Sequence, residues 1–292
     1  MIPLGKAVGI KLFADGALVV SLEGSDTLKV GDLLLKVNDT RVQSTEQLQA
    51  LLQKNGSMPV SMQVRRGERL VTFTDTPQCG SDGVYRLGAW IRDSMAGIGT
   101  VTYYDPATGA FGALGHGITD GDTMALMPFG SGSILPSTVK AVKKGSSGSA
   151  GELRGNFDLS GDLGPLCANT DCGIFGTLPA DCTLVAGEAL PVGDAVEGPA
   201  TIRANVSGDE VREYAVEILK RLPNASDGRE MVISVTDPDL IAATGGIVQG
   251  MSGSPILQNG KLVGAVTHVL LSDATKGYGI SMETMLNAGE NV

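Results

Sequence analysis

Ser252 stands in the hexapeptide Gly250-Met251-Ser252-Gly253-Ser254-Pro255, and the residues behind it leave the chain little choice of local fold. Ile256-Leu257-Gln258 and Lys261-Leu262-Val263 flank Asn259-Gly260, the pair that most strongly specifies a two-residue β-hairpin turn. A glycine-bracketed serine thus runs straight into a strand pair. Glycine lacks Cβ and tolerates the unusual dihedrals of a tight turn. Such a turn can expose the Ser252 hydroxyl while aiming nearby backbone N–H groups at one point, which is the geometry of an oxyanion hole.

Composition fits a β-rich chain. Of 292 residues, 41 are glycine, about twice the usual share, which suits many turns and short strands. Only 4% are aromatic, so the core should come from Val, Leu, Ile, Ala and Met. The length suggests two domains. Net charge is −10, and basic residues gather no further than pairs such as Lys143-Lys144. That balance argues against nucleic-acid binding and against adhesion to anionic membranes. No apolar run approaches the roughly 20 residues of a membrane span, and the start lacks a signal-peptide pattern, so the chain as given is expected to be soluble. Cys79, Cys167, Cys172 and Cys182 lack the paired spacing of a zinc site; no metal or other cofactor is expected. A local disulfide within the Cys167–Cys182 segment and free buried thiols both fit.

The first 76 residues read as a domain of their own. Val8-Gly9-Ile10-Lys11-Leu12 and Ala17-Leu18-Val19-Val20-Ser21-Leu22 are strand-like, and Gly31-Asp32 precedes the strand Leu33-Leu34-Leu35-Lys36-Val37-Asn38. Ser44 opens a helix with Gln47 at the capping-box position, and Asn55-Gly56 stops it. Val60 to Arg66 and Arg69 to Phe73 complete a hairpin. Thr76 to Gly83 reads as a linker, and residues 84–292 as the second domain. Within that domain, Ser137 to Val142 alternates as a half-buried strand. Gly145 to Gly151 reads as a flexible loop. Asp209 to Leu222 fits both a helical face and a strand, and strand is the reading adopted.

Of the two histidines, His116 lies in the small-residue turn Gly115-His116-Gly117-Ile118-Thr119-Asp120, and His268 in the apolar strand Gly264-Ala265-Val266-Thr267-His268. A general base must reach the nucleophile and needs a partner for its other ring nitrogen, and the glycine turn suits His116 to that role. These segments, with Val235-Thr236-Asp237-Pro238 and the run from Thr244 to Pro255, resemble the stage IV sporulation protein B peptidases. The start, Ile2 to Ile10, resembles the approach to that family's PDZ domain.

The resemblance implies a mainly β chain: an N-terminal PDZ domain followed by a chymotrypsin-like double β-barrel. It implies a serine endopeptidase with Ser252 as nucleophile, His116 as base and Asp237 as the orienting carboxylate, with Asp120 as the alternative. The oxyanion hole would be the N–H groups of Gly250 and Ser252. Met251 stands where trypsin-like enzymes carry the Asp that pairs with a new N-terminus, so that activation is not expected. His268 is expected either as a buried structural residue satisfied by backbone or as lining the pocket for the residue preceding the scissile bond. Gly9, Ile10, Lys11 and Leu12 would form the edge that binds an extended peptide.

Family members act in the space between the two membranes around the forespore. There they cleave a membrane-bound regulator of sigma-factor processing and also themselves. They carry an N-terminal hydrophobic segment, so a truncated or processed form is expected here. The contrasting expectation is a peptide-binding signalling protein whose peptidase fold has lost activity.

Overall fold

Asn259 and Gly260 adopt φ values of 52° and 73°, forming the expected two-residue turn with Gln258 facing Lys261. The computed structural model describes residues 1–158, 161–222, 225 and 227–290. The chain forms two compact units that do not follow sequence order. The larger comprises Met1–Lys11, Ala96–Ile118 and Gly132–Val292, the smaller Leu12–Met95 and Thr119–Ser131. Strand β1 (Ile2–Leu22) joins the two strand-like stretches read from the sequence into one and passes from the larger unit into the smaller.

The smaller unit contains β2 (Leu33–Val37), β3 (Thr40–Arg41), α1 (Thr45–Asn55), β4 (Val60–Arg66), β5 (Arg69–Asp75), β6 (Gln78–Cys79) and β7 (Tyr85–Arg86). The order is β1-β2-β4-β5, with β3 on β2. Alternate residues Val60, Met62 and Val64 are buried, as period-2 patterning requires. Helix α1 starts where expected. The Ser44 hydroxyl accepts the Gln47 N–H at 3.1 Å, and Gln47 Oε1 reaches back to the Gln43 N–H at 2.7 Å. Its apolar face, Leu48 and Leu52, packs against Ala17, Val19 and Leu34. Asp32 is fully buried, which a carboxylate tolerates only when paired. Arg66 grips it bidentately, both bonds at 2.7 Å, and the Lys29 N–H adds a third at 2.8 Å. Beyond the expected linker, Tyr85, Leu87, Ala89 and Ile91 point alternate side chains into the same core. Gln49 and Gln53 of α1 bond the Tyr85 carbonyl and N–H. A cavity of about 1350 Å³ opens here, lined in part by Leu28, Leu48, Leu52, Leu87 and Trp90.

Strand β8 (Ala89–Tyr104) leads into the larger unit. There follow β9 (Ala110–Ala113), β10 (Ser131–Lys143), β11 (Gly151–Phe157), β12 (Gly164–Thr170), β13 (Gly173–Thr177), β14 (Gly198–Ser207), β15 (Glu210–Arg221), β16 (Met231–Val235), α2 (Pro238–Thr244), β17 (Val248–Gln249), β18 (Pro255–Gln258), β19 (Lys261–Leu270), β20 (Asp273–Ser281) and α3 (Met282–Glu290). Strands β14-β15-β16-β20-β19-β18 close a barrel. The other strands run β17-β11-β10-β12-β13-β9-β8-β1, and a further pairing of β10 with β1 joins six of them into a second ring. The ambiguous Asp209 to Leu222 segment is strand β15, with Tyr214, Val216 and Ile218 turned inward beside Ile233, Val235 and Ile256. Gly145 to Gly151, expected as a loop, is a tight turn. Ser146 and Ser149 exchange backbone bonds, and the Gly148 N–H holds the Leu271 carbonyl at 2.7 Å. Among the described residues no helix is long and apolar enough to cross a membrane.

Candidate active site

The serine turn is shaped by two glycines at φ +98° (Gly250) and +95° (Gly253). At Gly253 a Cβ would lie 2.0 Å from the Thr100 carbonyl oxygen and 2.5 Å from the Leu114 nitrogen. Only glycine fits there. Within the turn, the N–H groups of Met251, Gly253 and Ser254 donate to the carbonyls of Val248, Val266 and Met251. The N–H groups of Gly250 and Ser252 have no acceptor among the described residues. Two donors are therefore free on the rim of the serine turn, and they are the two expected for the oxyanion hole. The Ser252 hydroxyl itself donates to the Thr267 carbonyl at 2.7 Å.

His116 follows β9 through Leu114 and Gly115, both in the left-handed region at φ +69° and +70°. That conformation is costly for a leucine, and it turns the chain sharply toward the serine. His116 Nδ1 lies 2.8 Å from the Gly117 carbonyl oxygen. A carbonyl only accepts, so Nδ1 carries the hydrogen and Nε2 keeps a lone pair. The ring stands 4.9 Å, centroid to centroid, from that of His268, tilted by 37°. Burial lowers the His116 pKa below its ordinary value, opposed by the Gly117 bond. Burial, then the neighbouring His116 and Arg229, push His268 down to about 4, against a smaller opposite pull from Asp227. The His268 Nδ1 is buried without a partner. Both imidazoles are neutral at pH 7.

This has a measurable consequence. If His116 serves as a base it must be unprotonated, so the acid limb of kcat/KM should fall with its midpoint below pH 6.5. Stability moves the same way. His268 binds its proton near 6.5 when unfolded but near 4 when folded, so its contribution is complete above about pH 6.5 and is lost as pH falls toward 4. A kcat/KM midpoint above 6.5 would contradict the buried, neutral base.

Ser252, Gly250, His116 and His268 all lie in the larger unit; the two imidazoles are neighbours, while the Ser252 hydroxyl is bonded to the Thr267 carbonyl rather than to His116. The larger unit does not bring Asp237 to His116. Asp237 caps α2: its Oδ1 accepts the N–H groups of Asp239 and Leu240 at 3.0 Å each, and its Oδ2 that of Ala215 at 3.2 Å. Asp120, in the smaller unit, is fully buried, ion-paired to Arg92 and bonded to the N–H groups of Asp122 and Thr123. Gly9 to Leu12 lie inside β1, with Ile10 and Leu12 buried, and a Cβ at Gly9 would meet Phe157 at 2.5 Å. These four residues are packed rather than presented. The bond from Ser252 to the Thr267 carbonyl has no signature in the sequence, because it depends on chain segments meeting in space, whereas the His116 contact with the Gly117 carbonyl is local. All four cysteines are free thiols. Among the described residues, no three His, Cys, Asp or Glu side chains are grouped to hold a metal ion.

Comparison with curated proteins gave no match. Among solved structures, the Rv3671c protease of M. tuberculosis in its active form is 14% identical over 68% of this chain and 74% of its own, with a TM-score of 0.37. The HtrA-type protease AlgW with decapeptide is 10% identical over 99% of this chain and 64% of its own, at 0.38. The PDZ domain of an SdrC-like protein from Listeria monocytogenes is 17% identical over 26% of this chain and 87% of its own, at 0.25. Residues 27–66 match a PDZ domain. Residues 83–286, well over half the chain, match the SpoIVB peptidase S55 family. The chain belongs to that family, a serine endopeptidase that carries a PDZ domain.

Proposed function

We propose that Ser252 is the nucleophile and His116 the general base of this endopeptidase. The observation that carries the reading is a serine turn with two unengaged N–H groups beside an imidazole whose Nδ1–H is already fixed. In the proposed reaction the Ser252 hydroxyl leaves the Thr267 carbonyl and gives its proton to His116 Nε2 as Oγ bonds the substrate carbonyl carbon. The N–H groups of Gly250 and Ser252 receive the oxyanion, an arrangement in which one donor is worth about 10²–10³ in rate. Collapse breaks the C–N bond, and His116 returns the proton to the leaving amine. Water then repeats the sequence on the acyl-enzyme. Labelling by a fluorophosphonate probe tests this reading: it should be abolished by Ser252→Ala. An unlabelled parent protein would favour an inactive, peptide-binding signalling protein instead.

The family likeness proposes Asp237 as the third member, whereas the geometry supports the Gly117 carbonyl as the group orienting His116. Asparagine separates the two, because it caps helices nearly as well as aspartate. We expect Asp237→Asn to retain turnover within about tenfold, against the roughly 10⁴-fold loss that removing an orienting aspartate causes in a working triad. A loss of that larger size in a folded protein, exceeding that of Asp120→Asn, would return the role to Asp237.

By family likeness, the substrate is a membrane-bound regulator of sigma-factor processing, cleaved outside the cytoplasm in the forespore intermembrane space. The same site would cleave the chain itself. His268, stacked on the base, is proposed to line the pocket for the residue before the scissile bond. Residues 1–76 and 84–292 are proposed as the peptide-binding and peptidase modules. For an extended peptide ligand, the cavity beside α1 offers more room than the packed Gly9 to Leu12 stretch.

A further inference from the structure

Thr100, in β8 of the larger unit, has 1% of its surface exposed and forms three bonds, two to the serine turn and one to Leu114. Its hydroxyl donates to the Gly250 carbonyl at 2.7 Å, and its N–H donates to the Ser252 carbonyl at 3.0 Å. Its own carbonyl accepts the N–H of Leu114, which begins the turn to His116, at 3.1 Å. One residue thus ties the nucleophile turn to the base turn.

We propose that Thr100 is a positioning residue, whose hydroxyl keeps the oxyanion donors aimed by holding the Gly250 carbonyl. The argument follows from peptide planarity: fixing a carbonyl fixes the N–H on the same plane. The plane bearing the Ser252 N–H is held by the Met251 carbonyl, which accepts the Ser254 N–H at 2.9 Å. The plane bearing the Gly250 N–H is held upstream, where Gln249 pairs with Glu152. Between them lies the plane from Gly250 to Met251, held through the Met251 N–H by the Val248 carbonyl at 3.1 Å and through its own carbonyl by the Thr100 hydroxyl. Gly250 is a glycine at φ +98°, so its backbone has wide freedom to rotate. Without the hydroxyl, a buried carbonyl would also lose its partner. The turn would then relax around Gly250 and carry its two donors off target.

The strand supplies its own control. Thr102, two residues on, is fully buried in β8, but its hydroxyl has no partner among the described residues. Threonine to valine removes one hydroxyl at either site with almost no change of shape. The inference rests on the serine peptidase reading, so two measurements are paired. The first is the rate of Ser252 phosphonylation by a fluorophosphonate across probe concentrations. Thr100→Val should lower the limiting rate about tenfold or more while the half-saturating concentration stays put. Thr100→Ser and Thr102→Val should stay near the parent. The second is amide hydrogen exchange across residues 250–254, which needs no activity. Exchange should quicken in Thr100→Val and not in Thr102→Val. Should Thr100→Val fail to fold, Thr100→Ala removes the same hydroxyl and is read in the same way. A parent protein that is never labelled would refute the peptidase reading and leave exchange to decide the clasp. Parent-like labelling and exchange in folded Thr100→Val, or equal losses in Thr102→Val, would overturn the role of Thr100.

Discussion

Ser252→Ala should lower peptide hydrolysis by a factor on the order of 10⁶, and His116→Ala should cost about as much, because nucleophile and base act as one unit. The double variant should then be scarcely worse than either single one. Folding should survive both changes. Ser252 contributes one hydroxyl bond, to the Thr267 carbonyl of β19, and among the described residues the His116 ring bonds its neighbour's carbonyl alone. Turnover and the far-ultraviolet circular dichroism of the three variants provide the check. Losses that multiplied in the double variant would mean that Ser252 and His116 act independently, and the proposed proton transfer would fail.

Gly253→Ala should be among the most damaging single methyl additions at the described residues. It combines a φ of +95° with a Cβ position 2.0 Å from one backbone atom and 2.5 Å from another. Backbone cannot step aside as a flexible side chain can. Strain and overlap together should destabilise by about 3 kcal/mol or more, a size reserved for a few named mechanisms. Gly260 is the comparison: its φ is +73°, but nothing lies within 4 Å of its missing Cβ. Alanine there should cost only the left-handed conformation, about 1–2 kcal/mol. Urea unfolding of both variants decides the matter, and equal costs would show that crowding at Gly253 is relieved by movement of the turn.

What could be read from the chain was what neighbours in sequence determine. The Asn259-Gly260 turn and the Ser44 cap of α1 depend on residues within four positions of one another, and both formed as expected. The serine turn likewise rests on local signals, with Gly250 and Gly253 both at positive φ. Asp237 shows the opposite case. Asp-Pro-Asp is a helix-start signature, with the cap followed by proline in the first helical position, and that signal was present in the sequence. Chain order and family likeness point the same residue to the triad, and Asp237→Asn separates the two roles. The Thr100 clasp was out of reach altogether, because its partners in the serine turn lie about 150 positions away. The interleaving of the two units was hidden for the same reason: β1 and β8 are each long enough to serve both.

The alternating row Tyr85, Leu87, Ala89 and Ile91 bears on how this chain can be taken apart. A fragment ending at Thr76 would contain the whole PDZ match, yet it would uncover Leu28, Leu48 and Leu52 along one side of α1. Such a piece should be sticky and prone to self-association, as exposed apolar surface is. Extending it through Met95 restores the missing row. The same holds for a protease: a nick between residues 76 and 95 would not separate two finished parts, but would unpick the smaller unit from its open end.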